Sequence, residues 1–253
     1  MIWSIMTPSL SCCDAGNMTA KEYSLNHASG CNRSLPVIAS GSAAKRSIGW
    51  LLVRLFCGVH TEIAGVRKVG KIVGELRMRA ATPADVVSIA SVHVASWREA
   101  YTGIMPDSFL AEQSIETRIS MWTEVFRNRE LFNCSEIFVV QDAGRIIAFG
   151  SCGPQRDHTL ADGGFDGEVG GLYVLQSHQK RGVGRLLMAA MFEVLSSLGH
   201  TGASLWVLRD NQPGRDFYKC LGGKIVGKKR DKRFNGALAE VAYGWSDLSR
   251  LAQ

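Results

Sequence analysis

The last two-thirds of this chain predict a mixed α/β fold, and three observations carry the prediction. Strand-like apolar runs alternate with helix-periodic runs from about residue 77 onward. One junction between such runs, 169–175 and 186–198, holds a basic turn with two glycines, Gln179-Lys180-Arg181-Gly182-Val183-Gly184-Arg185. Two short apolar runs near the end, 224–227 and 239–245, read as a terminal antiparallel pair.

The elements follow in order. Thr82 suits an N-cap, Pro83 the first helical position and Asp85 the positive end of the helix. Val86, Ile89, Val92 and Val94 then form an apolar helical stripe. A second helix is expected over 116–127. Residues 136–141 and 146–153 read as two strands joined by a turn at Asp142-Ala143-Gly144. The strand 169–175 feeds the glycine turn and the helix 186–198, and residues 203–208 form another strand.

A strand, a glycine turn and a helix N-terminus make an anion site. The first helical turn leaves backbone N–H groups free, and the helix dipole favours negative charge there. Gly182 and Gly184 lack a Cβ, so a phosphate can approach the main chain, and Lys180, Arg181 and Arg185 add positive charge. A P-loop needs Lys-Ser or Lys-Thr after its glycines, and none follows. A dinucleotide fingerprint needs a third glycine at 187, where Leu stands. The pattern [QR]-x-x-G-x-[GA] is met by Gln179, Gly182 and Gly184. A glycine-rich loop that only caps a helix is the other reading of these residues.

That pattern resembles the acetyl-coenzyme A loop of the GCN5-related N-acetyltransferase (GNAT) family. Residues 77–85 resemble the family's first strand turning into its first helix. Residues 96–106, Ser-Trp-Arg-Glu-Ala-Tyr-Thr-Gly-Ile-Met-Pro, resemble its helix-one to helix-two connection. Asn211 and the pair Phe217-Tyr218 stand where the family's strand-five exit and following helix carry an Asn and a Phe-Tyr pair. The resemblance covers about residues 76–247. It implies a twisted, mostly antiparallel sheet splayed by a bulge at the cofactor strand, with helices on both faces and acetyl-coenzyme A as co-substrate. It also implies a domain over 76–253 preceded by an extension, 1–75, expected to be poorly ordered. Met78 stands where chains of the family commonly begin.

The chain has 253 residues, a formal net charge of +6 and a hydrophobic share of 46%. That balance suits an anionic co-substrate and does not require nucleic acid. The seven cysteines show no metal spacing and no even framework, so reduced thiols, a cytoplasmic location and no metal are expected. Residues 1–10 lack a secretory pattern, and the apolar run 48–59 is short and interrupted by Arg54, so no membrane span is expected. Arg67, Lys68 and Lys71 read as solvated. The basic run 228–233 reads as a solvated hairpin loop, with only Phe234 near it to stack on a base.

The resemblance assigns chemistry residue by residue. Backbone N–H groups from Lys180 to Arg185 would hold the pyrophosphate, with the pantetheine arm along Leu172, Tyr173 and Val174. A backbone N–H near Tyr173 or Val174 would polarise the thioester carbonyl. Asn211 would bond the arm, or simply cap a helix. Tyr218 would serve as general acid at the departing sulfur, and Glu168 as general base acting through water. By alternation Glu168 should point as Leu172 does. Asp166, Asp162 and His158, in an expected loop, are the other base candidates. Trp97, Tyr101, Met105 and Trp122 would line the acceptor pocket, with Trp122 the one better read as core. The expected reaction is direct attack by a primary amine in a ternary complex, since no cysteine sits in a nucleophile's setting. A small-molecule amine is the preferred acceptor. A peptide amine, a non-catalytic acyl-coenzyme A sensor and a homodimer stay open.

Overall fold

A computed structural model describes residues 71–73, 76–230 and 238–251. Expectations for the run 48–59, Arg67, Lys68, four of the cysteines and residues 231–234 lie outside the described residues.

One carboxylate ties the first strand to the first helix. Strand β2 (Leu76–Ala80) runs into Thr82-Pro83, where a 3-10 turn (Pro83–Asp85) leads into α1 (Val86–Tyr101). Asp85 accepts hydrogen bonds from the Thr82 N–H at 2.8 Å and the Thr82 hydroxyl at 3.0 Å. Both its oxygens also meet the Arg79 guanidinium at 2.7 Å, a bidentate pair across the junction. A short strand β1 (Lys71–Val73) pairs antiparallel with β2, Lys71 opposite Met78, so the sheet begins upstream of residue 76.

Helix α1 absorbs part of what the sequence presents as a connection. Residues 96–101 form its last turns, because Trp, Arg, Glu, Ala and Tyr all tolerate a helix. The chain turns only at Gly103, whose φ is +78°. A short helix α2 (Asp107–Ala111) follows, and then α3 (Ile115–Arg127), capped by the Ser114 hydroxyl, which accepts from the Thr117 N–H at 3.1 Å.

Strands β3 (Glu136–Asp142) and β4 (Arg145–Pro154) form the hairpin expected around Gly144. The stretch holding His158 and Asp162 is helical rather than a loop: α4 (His158–Asp162) is capped by Asp157, which accepts from the N–H groups of Thr159 and Leu160. Then come β5 (Gly167–Val174), α5 (Val183–Ser197), β6 (Ala203–Leu208) and α6 (Gln212–Cys220), and finally β7 (Lys224–Arg230) and β8 (Ala239–Trp245).

The strand order is β1-β2-β3-β4-β5-β6-β8-β7, antiparallel throughout except for β5 beside β6. Helix α5 covers one face, burying Leu187, Met191, Phe192 and Leu195 against Val140, Val169 and Leu205. Helices α1 and α3 cover the other, where Ile89, Trp97, Trp122 and Val125 meet Ile137, Val139 and Phe149.

The basic run is corrected in part. Lys228, Lys229 and Arg230 belong to β7, with Lys229 opposite Glu240 of β8. An edge strand tolerates lysines because its outer side faces water. Lys229 also earns local partners, its ammonium lying 3.9 Å from the Trp206 ring centroid and 3.4 Å from the Glu240 carboxylate. No helix among the described residues is long and apolar enough to cross a membrane.

The Arg79 bond, helped by Thr82 against the opposing effect of burial, holds the Asp85 carboxyl at about 2. The unfolded value is near 3.9, so the folded value is depressed. The stabilisation is therefore fully present above about pH 4 and is lost as pH falls towards 2. Asp85→Asn is expected to lower Tm at pH 7 by a few degrees, the size of ~1 kcal/mol. Melting curves taken from pH 4 to pH 2 should show the gap to wild type shrinking, and a constant gap would refute the linkage.

Candidate active site

Strands β5 and β6 pair only at Gly167↔Ala203 and Glu168↔Ser204. Beyond that they part, while β6 stays paired with β8 from Ala203↔Trp245 to Leu208↔Glu240. From Val169 to Val174 strand β5 runs on without ladder pairing to β6. The splay at this strand is as the resemblance implies.

The other edge of β5 carries a bulge. Cys152 of β4 faces Val169 and Ser151 faces Gly171, so Gly170 is an extra residue. Val169 packs on the α5 side, and so do Leu172 and Val174, which unbroken alternation would not allow. Tyr173 packs on the α1 side. The bulge thus reverses parity, and Glu168 lies on the face of Tyr173, not on the face of Leu172.

Glu168 is 3% exposed and held by Arg156. The Nε and Nη2 atoms of Arg156 donate to its two oxygens at 2.8 and 2.7 Å, and the Arg156 backbone N–H adds a third bond at 3.2 Å. A carboxylate with both oxygens so engaged is built to hold a position, and the arrangement lends no support to its use as a base. Of the other base candidates, Asp166 accepts from the N–H groups of Thr201 and Gly202 at 2.9 and 3.1 Å, bracing the entry to β6. His158 and Asp162 are exposed on α4.

The glycine turn has a defined division of labour. The Gln179 side-chain amide donates back to the Val174 carbonyl at 3.1 Å, folding the loop over the end of β5. Gly182 caps α5 with φ +82°, and a Cβ placed there would meet nothing within 4 Å. Its requirement is conformational. A Cβ on Gly184 would lie 2.9 Å from the Phe217 ring, so that glycine lets α5 pack on α6. The N–H groups of Val183, Gly184 and Arg185 occupy the first turn of α5, where a helix supplies no acceptor. Arg181 donates to Asp142 at 3.1 Å, and His178 Nε2 lies 3.3 Å from the same carboxylate, which tethers the loop to β3. Lys180 and Arg185 are exposed, with no side-chain partner among the described residues.

Across the split stand Asn211 and three phenols. Asn211 caps α6, its Oδ1 accepting from the Gly214 N–H at 3.1 Å. Tyr101 and Tyr218 are each 5% exposed, and Tyr173 is 6% exposed. Burial raises the pKa of all three; Tyr173 adds to the rise at both Tyr101 and Tyr218. The Tyr218 ring lies 5.3 Å from Phe217 and 5.9 Å from Tyr243. Residues from α1, β5 and α6 thus meet about the opening.

Trp97 is not part of an open pocket. It is 1% exposed, with Tyr101 at 5.7 Å and the Arg118 guanidinium 4.8 Å from its ring centroid. Trp122 is core, donating to His93 Nδ1 at 3.2 Å. Burial, then Arg118, holds His93 well below the ordinary imidazole range, so it is neutral. Met105 is 4% exposed, yet it edges an open depression of about 510 Å3 with Ile104, Asp107, Asp210 and Leu238. Sequence reasoning overlooked Arg156 and Asp142, whose only sequence signal is an isolated charge at a strand end. No group of three or more metal-ligating side chains occurs among the described residues.

A parallel pair that splits at mid-sheet, above a glycine turn capping a helix, defines a class of group-transfer fold. Residues 94–222 match the model of the acetyltransferase (GNAT) family. The chain is 34% identical over 175 residues to an uncharacterized N-acetyltransferase of Bacillus subtilis, YuaI, covering 69% of this chain and 95% of that one. It is 28% identical over 157 residues to a probable N-acetyltransferase of Mycobacterium tuberculosis, covering 60% and 82%. The fold is also that of the PaiA N-acetyltransferase of Thermoplasma acidophilum, solved in complex with coenzyme A, at a TM-score of 0.53 and 18% identity over 67% of this chain and 99% of that one. This chain belongs to the GNAT family of acetyltransferases.

Because a methyl on Gly182 meets no atom, Gly182→Ala isolates the backbone cost of its left-handed conformation. Denaturant unfolding is expected to show a loss of about 1–2 kcal/mol. An unchanged midpoint would mean that the turn does not need this conformation.

Proposed function

We propose that this protein transfers an acetyl group from acetyl-coenzyme A to the primary amine of a small molecule, both bound at once. The observation that carries the reading is the split of β5 from β6 just ahead of the turn 179–185. The split parts β5 from β6 over the stretch along which an extended, amide-bearing arm would run. The turn adds first-turn N–H groups of α5, exposed Lys180 and Arg185, and a Gly182 with no Cβ in the way. These features fit a pantetheine arm ending in a pyrophosphate. The crystallisation of PaiA with coenzyme A in a similar fold supports the same reading.

Acetyl-coenzyme A supplies an acetyl group already activated as a thioester. The chain's part is to orient and to manage protons. A backbone N–H near Tyr173 or Val174 would polarise the thioester carbonyl as its oxygen gains charge. Asn211, whose Oδ1 is fixed by the Gly214 N–H, would bond the pantetheine arm. Tyr218 stays protonated because burial raises its pKa, so it is a hydrogen-bond donor to the departing sulfur. The acceptor would enter by the depression at Met105, Asp107 and Asp210. Asp210 is already paired with Arg209 at 2.9 Å, which leaves Asp107 to favour an ammonium-bearing molecule. The amine nitrogen gains the acetyl group and sheds a proton, and coenzyme A leaves as the thiol.

Thiol release measured across a panel of small amines and peptide amines tests the reading. Turnover is expected with a small amine, and Tyr218→Phe should lower kcat by about 10²-fold while coenzyme A still binds. Tight coenzyme A binding without turnover on any amine would favour a sensor, and turnover confined to peptides would move the acceptor class.

A further inference from the structure

Where β4 leaves the sheet, two consecutive side chains reach across to the strands that part. Gln155 Nε2 donates to the Ser204 hydroxyl at 2.6 Å and lies 3.3 Å from the carbonyl oxygens of both Gly167 and Phe165. Its own Oε1 accepts from the N–H groups of Arg156 and Asp157, at 3.0 Å each, which fixes the amide's orientation. Arg156 holds Glu168 in the bidentate pair already described. Glu168 and Ser204 are partners in the last parallel pair before the split. Each member of that pair is therefore gripped from outside the two strands, and both are buried, Ser204 completely.

Two residue pairs of slanted parallel bonding are a weak registration on their own. Left to themselves, the strands would gain hydrogen bonds by pairing further towards Val174, closing the gap. They could also fray back towards Gly167. A fully satisfied buried polar network opposes both changes, because shifting either strand would strand a buried hydroxyl or a buried carboxylate.

We infer that Gln155–Ser204 and Arg156–Glu168 form one clamp that fixes where the split begins, and that Gln155 is thereby a positioning residue for the coenzyme A arm. The inference rests on the acetyl-coenzyme A reading above and gives Glu168 a place in it. Its carboxylate anchors the vertex instead of taking up a proton. Gln155 itself acts only through the strands it holds.

The test is calorimetric titration of coenzyme A into the full chain, for wild type, Ser204→Ala, Gln155→Leu and the double variant. Melting and amide hydrogen exchange are measured on the same samples. Ser204→Ala is the mild variant should Gln155→Leu fold poorly. Each single change is expected to weaken coenzyme A binding roughly five-fold, the worth of one hydrogen bond. The double change should weaken it no further than Gln155→Leu alone, since that variant already removes the Ser204 bond along with the other bonds of Gln155. Exchange at Glu168 and Leu205 should rise in all three variants. A lower melting temperature with unchanged affinity, or losses that simply add, overturns the clamp. If wild type binds no coenzyme A at millimolar concentration, the cofactor reading falls instead. The clamp is then judged by exchange alone, and equal protection at the vertex in all four proteins overturns it.

Discussion

The rest of the molecule depends on one interrupted set of hydrogen bonds. Strands β5 and β6 begin a parallel ladder and abandon it after Glu168↔Ser204. A sheet ordinarily satisfies every main-chain donor and acceptor, and an unpaired buried group costs on the order of 1–3 kcal/mol. A gap of several residues is tolerable only if something keeps it open and something else can use it. On one side α5 packs across β3, β4 and β5, and on the other α1 braces β4 and β5, so β5 is held without help from β6. Strand β6 is held independently by its full-length pairing with β8. The two halves of the sheet are each stable enough to leave the seam between them unfilled.

Around that seam, most polar groups that could serve a ligand are already engaged within the protein. Arg181 is tied to Asp142, Glu168 to Arg156, and Asn211 to Gly214. Such commitments fix side chains before a ligand arrives and reduce the entropy lost on binding. The groups left uncommitted at the turn are Lys180, Arg185 and the first-turn amides of α5. They are the sort that suit a diffuse, doubly charged phosphate tail.

The sequence made the fold and the turn legible for a physical reason. Helix periodicity, caps and glycines with positive φ are local, and Thr82, Pro83, Gly144 and Gly182 each act within a few residues of themselves. What stayed hidden was relational. A bulge in this strand is implied by the resemblance, and glycine inside a strand often marks one, but the place of the extra residue shows only where two residues of β5 oppose one of β4. That single residue moved Glu168 to the opposite face from the one alternation assigns. Helix α1 ran on through Tyr101 because a connection was inferred from resemblance, while the residues themselves are compatible with helix. Strand β7 took in Lys228–Arg230 because charge patterning cannot separate a loop from an edge strand. Trp97 and Tyr173 illustrate the same limit, since an aromatic near a site and an aromatic in the core have the same composition.

The three phenols narrow how protons can move at the seam. Burial pushes Tyr101, Tyr173 and Tyr218 in the same direction, away from ionisation; Tyr173 pushes Tyr101 and Tyr218 further that way, while Trp97, Arg118 and Arg156 temper the rise at Tyr173 itself. A phenol so placed is a poor source of a fully transferred proton to a thiolate, whose conjugate acid has an ordinary pKa near 8.5. It remains a good hydrogen-bond donor, and a donor in a water-poor setting stabilises a developing negative charge without giving up its proton. The proton that ends on sulfur must then come from the acceptor nitrogen, which has one to lose once the amide forms. On the proposed acetyl-transfer reading, the protein's task would be to hold Tyr218 beside the sulfur and the nitrogen beside the carbonyl, a demand on strand geometry more than on side-chain acidity.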